Sequence, residues 1–299
     1  NNKRSNRYIN IAGNVKTATE WCRKNGVSPH NFWLRLKHGW SEIDAVTTPV
    51  KRRKMKLPKS ITNLAENVLL KGGKAYLVGG IVRDFILNIP TNDFDIEIHG
   101  LDVDCIEDIL SIYSKVDRVG ISFKVWKVHL SDDKGINSFV ADISIPRIEK
   151  KTGKSHKDFE IVGNPYLSTV EACRRRDITI NSMLLNISNG EIIDHFNGQE
   201  DIKTRIIKHV DKETFVDDAL RCLRACQFAA RFNFTIADET VKLCQGIDLA
   251  DLPAERIKEE IFKLLLKSDK PSVGIKALNL TGVSAKLFNS LFTDDKVYY

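Results

Sequence analysis

The sequence contains no Cys-x-x-Cys pair, no His-Asp dipeptide, no internal repeat and no run approaching the roughly 18 apolar residues of a membrane-spanning helix. Each absence excludes something. The six cysteines (Cys22, Cys105, Cys173, Cys222, Cys226, Cys244) follow no secreted-scaffold spacing, so reduced thiols and a cytoplasmic location are expected. The polar, Asn-rich start lacks the apolar centre of a signal peptide, and no membrane partner is expected. With seven scattered histidines and no His-Asp pair, no metal-dependent phosphohydrolase domain is expected. What remains is ordinary for a globular protein: 299 residues, 42% hydrophobic and 28% charged, enough for one large or two to three modest domains.

A formal charge of +7 favours an anionic partner such as nucleic acid. Its distribution is more telling. Residues 1–58 hold 13 Lys/Arg against 3 Asp/Glu, a net of +10, so the rest of the chain carries −3.

The first 50 residues read as a small basic module of short helices: Thr17 to Lys24, a Ser28-Pro29 start followed by Asn31 to His38, and Ser41 to Val46. Phe32, Trp33, Leu36 and Trp40 are expected to close a miniature core, with Arg35 and Lys37 pointing elsewhere. The run GWSEIDAVTTP resembles helix-turn-helix modules found beside phage nucleases, which implies DNA or RNA binding; a solvated accessory bundle stays equally open. Residues 51–60, with KRRKMKLPKS, read as a basic linker.

From residue 61 the signals alternate. An amphipathic helix over 60–72 ends at Gly72-Gly73, AYLVGG is an apolar strand, IVRDFILNI a helix, DFDIEIHG a strand, and Ile106 to Lys115 a helix. Phe123 to Leu130 and Ser138 to Ile145 are further strands, and Glu149 to Lys157 reads as a mobile loop. The expected fold is an α/β (α+β) head over 61–200 with a mixed sheet, followed over 201–299 by an all-helical neck and truncated body: Thr214 to Phe232, Asp238 to Gln245 and Pro253 to Lys267 carry apolar residues at three-to-four spacing.

Asp93 and Asp95 lie two apart on a strand, so both carboxylates project from one face while Phe94 turns inward. Two such carboxylates repel unless a cation sits between them, and magnesium takes oxygen ligands of this kind. Gly79 and Gly80, between a strand and a helix, offer bare N–H groups to a phosphate. Asp142, in SFVADISIPR, is placed to complete the carboxylate set from a neighbouring strand. Together these suit phosphoryl transfer with two magnesium ions, the third carboxylate helping to activate an attacking hydroxyl.

The run LVGGIVRDFIL…DFDIE resembles the signature of the tRNA nucleotidyltransferase and bacterial poly(A) polymerase family, class II of the polymerase-β-like nucleotidyltransferases. Later motifs follow in that family's order: Asp142 five residues before Arg147, RRRDITINS, GEIIDHFNGQEDI, DDALRCLRACQFAARF and LPAERIKEEIFKLL. The resemblance implies catalytic and metal-binding roles for Asp93, Asp95 and Asp142, and nucleotide binding by Gly79, Gly80, Arg83, Asp84, Arg176, Asp177, Asn181, Asp218, Arg221 and Arg224. Arg176, Asp177 and Asn181 would hold the ribose. Asp218 and Arg221, three apart on one helix face, would read the base edge in place of a template, because arginine only donates and carboxylate only accepts. Asp194, Asn197, Gly198 and Asp201 would form a hinge, and Glu255 and Arg256 a structural brace.

The implied activity is addition of CCA to tRNA 3′ ends from CTP and ATP, with Mg2+ as cofactor. The 149–157 loop favours a full CCA enzyme, since CC-adding relatives have it shortened. An A-adding partial enzyme and a poly(A) polymerase fit the same motifs and stay open. So does a reading from another class, a nucleic-acid-binding regulator with an inactive transferase head. Because the sequence ends soon after the last motif, RNA grip is expected from the basic N-terminal module.

Overall fold

The computed structural model describes residues 7–25, 27, 32–33, 35–36, 39–48, 55–119, 125–136, 138–151 and 159–288. The chain divides into two compact units, residues 1–54 and 55–299.

The first unit contains a hairpin that sequence reading missed: β1 (Tyr8–Ile11) pairs antiparallel with β2 (Asn14–Thr17). Its tight turn works because Ala12 and Gly13 both take positive φ, the conformation that matches the twist of two-residue hairpins. Helix α1 (Ala18–Lys24) starts at a capping box, Thr17 accepting from the Glu20 N–H while the Glu20 carboxylate accepts from Thr17. Trp21 lies in the core and donates its indole N–H to the Ile9 carbonyl at 2.9 Å. Phe32 is buried, and Trp33 and Leu36 pack beside it as expected. Two expectations fail here. Trp40 is 42% exposed and carries Arg35 over its ring. Arg35 itself turns inward and donates to the carbonyls of Ala45 and Thr48, tying down α2 (Glu42–Thr47), which Ser41 caps. Residues 32–33 and 35–36 are helical; the Ser28-Pro29 start and Lys37 lie outside the described residues.

The second unit begins earlier than expected. Met55 and Leu57 pack on its core, and the Lys59 N–H and Ser60 hydroxyl bond to Asp133 and the Ser131 carbonyl, so residues 55–60 are part of this unit rather than a free tether. Helix α3 (Lys59–Leu70) buries Ile61, Leu64, Ala65 and Val68, the one-sided stripe its periodicity predicts. A seven-stranded mixed sheet follows, in the order β11-β10-β3-β4-β7-β6-β5. Its strands are β3 (Lys74–Val78), β4 (Phe94–His99), β5 (Val116–Val119), β6 (Val125–Ser131), β7 (Ser138–Ser144), β10 (Leu184–Asn186) and β11 (Ile192–Ile193). Only β4 and β7 run parallel; the other neighbours are antiparallel. One face of the sheet carries Leu77, Ile96, Ile98, Trp126, Val128, Ala141 and Ile143 into the main core. The opposite face carries Asp95, Glu97, Lys127 and Asp142, because alternate strand residues point to opposite sides.

Helix α4 (Gly80–Leu87) follows β3 directly, and α5 (Val103–Leu110) is shorter than expected, since Lys115 already leads into β5. The expected loop at 149–157 is narrower: β8 (Arg147–Lys151) and β9 (Phe159–Gly163) form a hairpin, and residues 152–158 lie outside the described residues. Short α6 (Thr169–Arg174) and a 3-10 turn (Thr179–Asn181) lead to β10.

Past α7 (Gly198–Thr204), the part expected to be wholly helical includes a parallel pair, β12 (Ile206–Ile207) with β13 (Thr235–Ile236). The single helix expected from Thr214 to Phe232 is two, α8 (Lys212–Asp217) and α9 (Leu220–Phe232), because Asp218 takes an extended backbone (φ −115°, ψ 104°) between them. Helix α9 is the buried spine of this part, flanked by α10 (Asp238–Gly246), α11 (Ala254–Leu266), α12 (Pro271–Leu280) and α13 (Val283–Leu287). Gly274 permits the close approach of α12: a Cβ there would stand 2.6 Å from Leu264 and 2.8 Å from Ala230.

Candidate active site

Asp95 and Asp142 are direct partners in the register of the parallel β4–β7 pair, so their side chains stand side by side on the open face. Asp93 lies one residue before β4, exposed, with its N–H bonded to the Thr91 hydroxyl. Burial pushes the Asp95 carboxyl up to about 6, and the charges of Asp93 and Asp142 push in the same direction. Across the β6–β7 ladder, Lys127 pairs with Asp142 in register and puts its ammonium 2.8 Å from both carboxylate oxygens.

Gly79 forms the turn between β3 and α4 with φ +73°, a conformation that disfavours any side chain. A Cβ at Gly79 would sit 3.3 Å from Arg176 Nη1 and 3.9 Å from Asp95 Oδ2, so the glycine keeps open a cradle between a cation and a carboxylate. The buried Nε–H of Arg176 has no acceptor among the described residues, which suits an anionic ligand.

Glu97 was missed by sequence reading. It is fully buried two residues after Asp95, accepts from His99 at 2.9 Å and Arg175 at 3.3 Å, and lies 3.6 Å from Arg176. Burial alone would raise its pKa; the His99 bond and the Arg176 and Arg175 charges overcome that and hold it at about 2. The signal was present in DFDIEIH, where Glu97 alternates with Asp95 on one face.

Behind this layer lies a continuous polar network. Arg83 and Asp84 are buried and paired at 2.8 Å, and Arg83 also donates to Asn181 Oδ1. They support the site from within rather than lining it. Asn181 donates to Asp177 at 3.3 Å, and Asp177 accepts from Arg224 Nε at 2.8 Å. Burial opposes the charge on Asp177, but the Arg224 ion pair and the Ile178 N–H bond keep its carboxyl below the usual range. Thr179 donates to Asp201, and Asp194 accepts from the Gly198 and Gln199 N–H groups, which fastens the expected hinge to the 3-10 turn.

Asp218 and Arg221 do not share a helix face as expected. Asp218 lies in the break between α8 and α9, accepting from the Leu220 N–H at 3.1 Å and from Arg256 at 3.2 Å. Arg221, in the first turn of α9, donates to the carbonyls of Thr214 and Arg175 at 2.7 Å. Arg256, expected only as a brace, bonds the Asp218 carboxylate itself, while Glu260 on α11 lies 3.9 Å from Arg224.

Among the described residues, no group of three or more His, Cys, Asp or Glu forms a ready metal cage. The donor chemistry nonetheless fits a hard divalent cation. Two adjacent carboxylates, with a third exposed beside them, form an oxygen-only set whose mutual repulsion a cation relieves.

Residues 75–208 match the family described as "Poly A polymerase head domain", and residues 233–294 match "Probable RNA and SrmB- binding site of polymerase A". A "Multifunctional CCA protein" of Vibrio vulnificus is 38% identical over 200 residues, 64% of this chain and 46% of the relative. A "CCA-adding enzyme" of Blochmanniella floridana is 35% identical over 223 residues, 73% of this chain and 50% of the relative. Among solved structures, the Bacillus stearothermophilus CCA-adding enzyme in complex with CTP superposes with TM-score 0.63 at 29% identity, covering 78% of this chain and 54% of that one. The Thermotoga maritima CCA-adding enzyme complexed with tRNA superposes with TM-score 0.63 at 25% identity, covering 83% and 55%. The chain thus spans about half the length of the curated relatives it matches. The match over 233–294 makes the segment after the neck similar to an RNA-binding region.

Proposed function

Since the chain belongs to the tRNA nucleotidyltransferase and poly(A) polymerase family, we propose that it adds CCA to tRNA 3′ ends, using CTP and ATP without a nucleic-acid template. The observation that carries the reading is the pairing of Asp95 with Asp142 on adjacent strands beside the open Gly79 turn and Arg176. In this proposal Asp93 and Asp95 hold magnesium, with Asp142 at the third position. The ions, when bound, would neutralise the nucleotide phosphates and ease deprotonation of the RNA hydroxyl.

The remaining roles belong to the protein. Gly79 and Gly80 admit the triphosphate to the start of α4, and the Arg176 guanidinium neutralises it. Asn181 and Asp177, aligned by Arg83 and Arg224, position the ribose. Asp218 and Arg221 read the base: two of the five Arg221 N–H donors are engaged in the described bonds, and Asp218 has lone pairs beyond those given to Leu220 and Arg256. An RNA partner is favoured by the match over 233–294, and tRNA by the likeness to the Thermotoga maritima enzyme complexed with tRNA. Six free cysteines, five of them buried, support a reducing, cytoplasmic setting, and no helix among the described residues is long and apolar enough to cross a membrane.

The test supplies labelled CTP and ATP, separately and together, with magnesium and tRNA transcripts lacking CCA, ending in CC or complete. Addition of C, C and A followed by a stop is the expected result. A alone on the CC-ended transcript would make it an A-adding enzyme, and long A tails a poly(A) polymerase. No incorporation would leave the nucleic-acid-binding reading.

A further inference from the structure

Lys127 has no assigned role in the proposed reaction, yet its ammonium is bound to Asp142, one of the three carboxylates of the candidate ion site. It lies directly opposite Asp142 in the antiparallel register, on the same face of the sheet as Asp95. Its Nζ stands 2.8 Å from Asp142 Oδ1 and 2.8 Å from Oδ2, engaging both oxygens as a bidentate cation would. The hydrogen bond to Asp142 favours the charged ammonium, and the charges of Asp142, Asp95 and Asp93 act in the same direction. Strand β6 lies between β5 and β7, so guarding a sheet edge does not explain this lysine. The side chain is 42% exposed, and an exposed lysine pair contributes little stability and breaks readily.

We propose that Lys127 is the resident cation of the carboxylate site and that a small divalent ion enters by exchange with it. The inference rests on the reading of this face as an ion site. Its consequence is that the nucleotide-free protein binds ions more weakly than its carboxylates alone would. Asp142 is held in place by the lysine until an ion of higher charge takes over, and the lysine then swings toward solvent.

The test titrates Mn2+ into the nucleotide-free full chain and follows the free-ion signal by electron paramagnetic resonance. Wild type, Lys127→Gln, Lys127→Arg and the remote control Lys134→Gln are compared, with folding checked by circular dichroism. The expected result is about five- to tenfold tighter Mn2+ binding in K127Q, with K127R and K134Q near wild type. In an Asp142→Asn background, the K127Q gain should shrink, because the lysine has lost its anchor. Equal or weaker Mn2+ binding in a folded K127Q protein would overturn the exchange while leaving the ion site intact. Absence of Mn2+ binding in wild type and K127Q alike would overturn both the exchange and the ion-site reading. Should K127Q fail to fold, Lys127→Met gives the same comparison.

Discussion

Arg83 Nη1 donates to Asn181 Oδ1 at 2.5 Å, joining the helix after the Gly79 turn to the 3-10 turn 98 residues later. The same guanidinium pairs with Asp84 and lies over the rings of Phe228 and Phe232, 5.2 and 4.7 Å from their centroids. Burial works against its charge and holds its pKa below the ordinary arginine value, the Asp84 carboxylate countering only part of that. Arg83→Met leaves Asp84 buried without a counter-charge and should destabilise the fold by about 3 kcal/mol, while Arg83→Lys, which keeps the charge but loses the planar fork, should cost about 1–2 kcal/mol. Urea denaturation of the three proteins checks the order.

Much of this arrangement was legible in the sequence. Asp93, Asp95, Gly79 and Asp142 follow from strand alternation and the order of elements, since each depends on local spacing. The Arg83–Asn181 bond, the Lys127–Asp142 pair and the Arg256–Asp218 contact depend on which strands and helices become neighbours, and no local period encodes that. The break at Asp218 was missed because the apolar spacing runs on through it; the carboxylate accepts from the Leu220 N–H, a competition between side chain and backbone that a count of apolar residues does not register. The hairpin at Tyr8–Thr17 was missed because its turn, Ala12-Gly13, is not one of the strong Asn-Gly or Asp-Gly signals.

Gly198 has a reason unrelated to flexibility. A Cβ there would stand 2.4 Å from the Thr179 carbonyl oxygen, a backbone atom that cannot step aside without moving the turn that carries Asn181. Gly198→Ala should destabilise by about 3 kcal/mol and should also raise the KM for nucleotide, because the turn shifts with it. Thermal unfolding together with initial rates at varied CTP separates the two effects.

Glu97 should govern acid stability. Its folded pKa of about 2 lies below the ordinary 4.5, so its contribution is fully present above pH 4.5 and is lost as pH falls toward 2. Glu97→Gln should be about 2–3 kcal/mol less stable than wild type between pH 5.5 and 8, with the gap closing below pH 4.5. Urea midpoints across that range provide the check; a gap that persists undiminished at pH 3 would mean that Glu97 contributes by packing rather than charge.

Asp95 presents the opposite sign at the place where function is proposed. Its carboxyl is pushed up to about 6, so the folded chain holds the proton more tightly than the unfolded chain, whose ordinary value is 3.8. The favourable contribution of the protonated form is therefore present below pH 3.8 and is lost as pH rises through about 6. Above that, the ion-free fold carries a crowded charge. Asp95→Asn should then be more stable than wild type by about 1–2 kcal/mol at pH 7.5 without divalent ions, and equal to it near pH 3.5. The same substitution should abolish nucleotide incorporation by a factor of at least ~10³ if Asp95 stabilises the transferring phosphate, as a residue acting on transition-state charge does. Unfolding measured in EDTA and incorporation measured with magnesium should therefore move in opposite directions, because the repulsion that weakens the empty site is what draws the cation into it.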